Sequence, residues 1–183
     1  MTKAKRTKST SGTTSSSHRE NAREGKIRSY DMMRKLSWEI AALSVHLDEV
    51  RQFWAQAVNI SGPQWTIVMA IAELDPNGEE GVPVTGVSKM LQVDPSFVTT
   101  QSKLLEQRGL LRRKPSADDG RVVRMSLTEK ARRQLADLSE HQTAISDYVF
   151  EEFGERELQE LTDNLATLNG RLEKARLKIA LDS

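Results

Sequence analysis

The chain holds 183 residues with a formal net charge of +1, 29% charged side chains and no cysteine. A domain of this size buries a core without covalent staples, and the lack of cysteine excludes disulfides and thiol chemistry alike. No stretch approaches the roughly 18 apolar residues needed to cross a bilayer, and the N-terminus lacks the apolar segment of a signal peptide, so the expectation is a cytoplasmic protein with no membrane partner.

The near-neutral total hides a segregation of charge. Residues 1–30 carry eight Lys/Arg against two Glu, a net of +6, and residues 31–84 carry three against eight, a net of −5. Residues 85–133 return to +6, with eleven basic against five acidic, and residues 134–183 fall to −6, with five against eleven. A basic block between acidic ones suits a surface for a polyanion on a scaffold that repels it elsewhere.

Residues 1–27 are Ser/Thr/Lys-rich and nearly free of apolar side chains, so they read as a disordered basic tail, either a solvated leader or an arm that tracks phosphates. From about Arg28 to Asn59, the residues Met33, Leu36, Ile40, Leu43, Leu47, Val50, Trp54 and Ala57 recur at spacings of three and four, which predicts one long amphipathic helix. Ser61, with Pro63 just inside and Gln64 three residues on, forms a capping box that opens a second helix; Trp65, Val68, Met69 and Ala72 make its expected buried face. Asp75-Pro76-Asn77-Gly78 is a turn. Residues 82–84 allow a minimal strand, and Thr85 is the expected cap of a short helix reaching about Gln92.

Asp94 and Pro95 start another helix over residues 95–108, which Gly109 stops. Two extended runs, 110–115 and 121–127, flank Asp119-Gly120 and predict a hairpin. Thr128 caps a long helix with Ala131, Leu135, Leu138, Ile145, Val149 and Phe153 on its inner stripe, ending near Gly154. The last helix carries Leu158, Leu161, Leu165, Leu168, Leu172, Ala175 and Ile179 as a heptad seam. These stripes suit either an internal core or an interface.

Two helices joined by a tight turn and followed by a basic hairpin make the layout of a winged helix-turn-helix, whose second helix enters the major groove of DNA. The faces of that second helix agree. Phe97, Val98, Leu104 and Leu105 fall on one side, with the polar Gln101 among them. Ser96, Thr99, Thr100, Lys103 and Gln107 fall on the other, a short, polar, non-acidic face able to meet base edges and phosphates. The hairpin adds Arg112, Arg113, Lys114, Arg121 and Arg124; Arg121, just past the turn, suits the narrow minor groove, and Asp119 could pair with it and fix its direction. Taken alone, that pair reads equally as a surface ion pair of little worth.

Val98-Thr99, Leu105-Glu106, Gly109-Leu110 and Arg113, then Asp119-Gly120-Arg121 and Leu127-Thr128, stand in an order and spacing that resembles the MarR (multiple antibiotic resistance regulator) family of bacterial regulators. The resemblance covers about residues 30–180. Ala131 stands where the family often has glycine, and Gln101 stands at a usually apolar position, where it is expected to loosen the packing of the recognition helix. The resemblance implies a mainly α fold with a small antiparallel β wing: a winged helix-turn-helix lobe, residues 61–133, joined to intertwined dimerisation helices, residues 28–60 and 134–183. It implies a homodimeric regulator on double-stranded DNA, with Ser96, Thr99, Thr100, Lys103, Arg113, Asp119 and Arg121 as contacts, acting as a repressor on an inverted repeat.

The resemblance also implies a small-molecule effector between the dimer helices and the lobe. His46, Trp54 and Trp65, with Trp38 nearby in sequence, are the aromatic candidates, against the commoner reading of aromatic residues at helical spacing as core. His18, His46 and His141 show no metal-ligand spacing, and no phosphate loop, dinucleotide fingerprint or nucleophile motif occurs, so neither a metal, a cofactor nor an enzyme is expected. The alternative function is a coiled-coil and winged-helix adaptor that binds protein without DNA affinity.

Overall fold

The computed structural model describes the backbone of residues 13–182 and the side chains of residues 30–182. Helix α1 runs over Thr13–Ala57, and its 45 residues span about 67 Å. It therefore begins well before Arg28, and residues 13–27, expected as unstructured, are helical; the rest of the expected tail lies outside the described residues. Extending an existing helix needs no new nucleus, so a segment without an apolar stripe can continue one.

α1 ends in a tight reversal. Asn59 takes the left-handed conformation at φ 56°, which asparagine tolerates, and the Ile60 N–H returns to the Ala55 carbonyl at 2.9 Å. Helix α2, Gly62–Leu74, then starts on the expected capping box, Ser61 and Gln64 each bonding the other's backbone N–H. Its burial exceeds the expected face of Trp65, Val68, Met69 and Ala72, because Ile67, Ala70 and Ile71 are also buried. α2 is the central helix of the lobe, and α1, the next two helices and the sheet pack around it. At its far end the Asp75 carboxylate accepts the N–H groups of Glu79 and Gly81, at 3.2 and 2.9 Å, and so shapes the following loop.

Strand β1 is Val82–Pro83, and helix α3, Val84–Leu91, follows without a break. Pro83 rather than Thr85 occupies the cap position, since proline presets the extended torsion there. α3 closes on Gln92, left-handed at φ 53°, with the Val93 N–H returning to the Ser88 carbonyl at 3.1 Å. Helix α4, Pro95–Gln107, ends at Gly109, whose φ of 70° suits glycine.

β2, Leu111–Pro115, and β3, Val123–Leu127, form the hairpin, and β1 pairs with the other edge of β3, giving the order β1-β3-β2. The turn is not the two-residue type that Asp-Gly suggests: Gly120 is not among the glycines with positive φ, and residues 116–122 form a longer loop, closed by Ser116 N–H on the Val122 carbonyl at 2.7 Å.

Helix α5, Glu129–Phe150, starts on Thr128, whose hydroxyl oxygen accepts the Ala131 N–H. It stops earlier than expected, and Gly154 caps helix α6, Glu155–Leu181, with Glu157 accepting the Gly154 N–H at 2.9 Å. The buried core lies in the lobe and at the adjoining end of α1, where Trp54 and Ala55 reach it. The stripes of the arms do not close within one chain. Met33, Leu36, Leu43, Leu47 and Val50 of α1, Ile145 and Val149 of α5 and Leu161, Leu165 and Leu172 of α6 are all exposed, and only Ile40, Leu135, Leu138, Leu158 and Leu168 are half-buried.

Because Ile71 is fully buried on α2, Ile71→Ala is expected to cost about 2–5 kcal/mol. Leu74→Ala, at the exposed end of that helix, is expected to cost less than about 1 kcal/mol. Urea unfolding of both variants checks the contrast.

Candidate nucleic-acid interface

The reading head is built by a buried stripe and a cap. Val98, Ser102 and Leu105 face the core, and Ser102 satisfies its buried hydroxyl by donating to the Thr99 carbonyl at 3.0 Å. At the start of α4, Asp94 Oδ1 accepts the Ser96 N–H at 2.7 Å. Hydrogen bonds from the Ser96 side chain and then its backbone hold the Asp94 carboxyl below its usual range.

Opposite the buried stripe, Ser96, Thr100, Lys103 and Gln107 are exposed, and Thr99 is half-buried on the flank nearer the wing. The Thr100 hydroxyl donates to the Ser96 carbonyl at 3.0 Å, which leaves its oxygen to accept from outside. Lys103 has no ion-pair partner among the described residues. No carboxylate stands on this outer face; Glu106 is turned to the flank.

The wing divides its cations. Arg112, Lys114 and Arg121 are exposed and have no ion-pair partner among the described residues. Arg113 and Arg124 are instead internal braces. The Glu106 carboxylate accepts the Arg113 backbone N–H at 2.9 Å and lies 3.9 Å from its guanidinium, whose side chain is only 13% exposed, so the start of the wing is tied to α4. Arg124 donates to the carbonyls of Glu80 and Gly81 at 2.8 and 2.9 Å and ties β3 to the loop before β1. Asp119 does not pair with the Arg121 guanidinium among the described residues. It accepts the Arg121 backbone N–H at 2.9 Å, shaping the loop tip and leaving the guanidinium free.

Gln101 does not loosen the head. Its Oε1 accepts from Gln64 Nε2 at 3.2 Å, and Gln64 is buried. Arg108 completes the cluster by donating to the Asn59 carbonyl at 2.7 Å and more weakly to Gln64 Oε1 at 3.4 Å. One polar knot thus joins the end of α1, the cap of α2 and the recognition helix. Arg108 carried no signal in sequence beyond its charge, because its partner is a backbone carbonyl 49 positions away.

Residues 60–123, which hold both α4 and most of the wing, match the model of the MarR family. The lobe is thus similar to the MarR family over this span. No curated protein matches the chain. Among solved structures, the chain is similar to a transcription regulator MarR from Oenococcus oeni, at 19% identity and a TM-score of 0.64 over 74% of this chain and 98% of that one. A MarR protein from Peptoclostridium difficile follows at 21% identity and 0.62, over 77% and 89%. MepR of S. aureus, solved as a complex with DNA, is similar at 17% identity and 0.62, over 74% and 95%. At these identities the likeness is one of fold, and it extends the MarR resemblance from the lobe to the helical arms.

The three residues expected to bind an effector are not brought together in the MarR-like chain. His46 is exposed on α1, with Nδ1 3.4 Å from Glu49 Oε2; Trp65 is in the core; and Trp54 is buried with its ring edge-on to Phe53, centroids 4.9 Å apart. Trp38 is exposed. Beneath the lobe, between Val58, Val68, Leu110 and Leu135, the free space is about 10 Å³, scarcely enough for one water. A far larger open groove of about 770 Å³ lies where Asn169, Leu172 and Arg176 of α6 pass Lys89 and Asp94 at the turn between α3 and α4.

Removing one member of the knot strands the others, so Gln64→Ala is expected to cost about 1–3 kcal/mol. Its effect and that of Gln101→Ala should be non-additive in a double-mutant cycle followed by thermal unfolding. Asp94 contributes differently. A carboxyl whose folded pKa lies below its unfolded value stabilises above the unfolded pKa, and that stabilisation disappears as pH falls through the folded one. The stability gap between wild type and Asp94→Ala is therefore expected to be full at neutral pH and to narrow below about pH 4; unfolding curves across that range read it.

Proposed function

We propose that the protein is a sequence-specific DNA-binding transcription regulator that binds an inverted-repeat operator as a homodimer. The observation that carries this reading is the outer face of α4. Ser96, Thr100 and Lys103 stand exposed with no carboxylate among them, beside a wing tip where Arg121 is unpaired among the described residues. In this reading α4 enters the major groove, Thr99 and Thr100 meet base edges, Lys103 meets a phosphate, and Arg121 reaches into the minor groove. Asp119 and Arg113 act behind them, one shaping the tip and the other tying the wing to the head. The match of the lobe to the MarR family and the likeness to MepR, solved with DNA, support it.

The homodimer rests on the arms. A single chain leaves the stripes of α1, α5 and α6 in water, whereas two chains can cover them, and a dyad sets two heads about one helical turn of DNA apart. Repression by occupying the operator is the finer part of the proposal. A small-molecule effector would act through the groove between α6 and the turn ahead of α4, because a molecule there touches arm and head at once and can bind two head spacings with different affinity. The proposed location is the compartment that holds the chromosome, the cytoplasm. Among the described residues no helix is long and apolar enough to cross a membrane. The role proposed is binding, with no catalysis.

Selection of bound duplexes from a random pool is expected to return an inverted repeat, and light scattering a dimer. In anisotropy titrations, Arg121→Ala should weaken binding to operator and scrambled duplex alike and reduce the salt dependence by about one counterion, whereas Thr100→Ala should alter sequence preference more than non-specific affinity. Absence of salt-dependent binding to any duplex would leave the protein-binding adaptor as the better reading.

A further inference from the structure

α4 carries two large apolar side chains that its core does not use. Phe97 and Leu104 are 38% and 41% exposed, although the pattern of the sequence places them with the buried residues. They share a stripe with Gln101 and Arg108, at helical spacings of four, three and four, between the buried stripe and the polar outer face. Gln101 and Arg108 turn inward to Gln64 and Asn59. Phe97 and Leu104 therefore flank the polar knot with open faces, two turns apart, about 10 Å along the helix.

Their surroundings name one partner. Ser96, Thr100 and Lys103 stand on the adjoining face, and the carboxylate of Glu106 lies across the helix, engaged with Arg113. An apolar contact inside a surface otherwise suited to polyanionic DNA needs an apolar feature on the duplex. The major groove offers one on its base edges, the 5-methyl group of thymine. We propose that Phe97 and Leu104 are specificity-determining residues that recognise thymine methyl groups within each half-site, an assignment that rests on the DNA-binding reading above. Phe97, in the first turn, contacts a base at the end of α4 that leads into the groove, and Leu104 contacts a second one further along. The threonines then supply polar readout, and these two side chains supply the apolar part.

The experiment replaces each thymine of the selected duplex, one at a time, with deoxyuridine, which removes the methyl group and keeps every hydrogen-bonding atom. The wild-type protein should lose about fourfold in affinity at one or two positions per half-site, the worth of one buried methyl. In Phe97→Ala the loss should vanish at one of those positions and in Leu104→Ala at another, while Thr100→Ala retains both. The wild-type measurement needs no variant to fold. Operator binding that tolerates every deoxyuridine, or variants as sensitive as wild type at every position, would overturn this assignment and leave the DNA-binding reading intact. Failure to bind any duplex would overturn both.

Discussion

The constraint on which the molecule depends is the enclosure of α2. A helix of thirteen residues is covered by α1, α3, α4 and the sheet, and buried residues lie on nearly all its faces. Every element that meets the proposed operator is placed by contact with this helix or with something that rests on it. Such a site has little freedom to repack, because interiors are close to crystal density. The same enclosure makes Gln64 consequential: its amide is taken out of water, so it must be bonded by the surrounding elements, and it meets this need through Gln101 of α4 and Arg108 at that helix's end.

Features decided by a few consecutive residues were legible in the sequence. Ser61 with Gln64, Asp94 with Pro95, Gly109 and Thr128 each set a helix boundary through local hydrogen bonds, and each stands where its residue type requires. Features decided across the chain were not. The left-handed Gln92 has no glycine to announce it, and the extra buried faces of α2 depend on neighbours far away in sequence. Gln101 looks like a flaw in an apolar stripe until Gln64 is seen opposite it. For Arg113 a signal was available: alternation along β2 puts it on the same face as the buried Leu111, opposite Arg112 and Lys114.

A count of basic residues overstates the surface available to a polyanion. Of the five cations on the hairpin, two hold the wing in place and three remain exposed. Near the same lobe, Arg132 of α5 donates to the Pro76 carbonyl at 3.0 Å, and its guanidinium lies so close to Gly78 that any side chain there would collide with it. Guanidinium groups thus serve here as much for binding loop carbonyls as for presenting charge, a use their five fixed donors favour.

The grip of Arg108 on the Asn59 carbonyl has a mechanical consequence. The reversal that closes the longest helix is tied to the C-terminal end of α4, so a rotation of that long helix is passed directly to the face that meets the groove. In the proposed pair, turning one arm against its twin would swing the attached blades apart or together, so the angle between the arms would set the span of DNA that the pair can straddle.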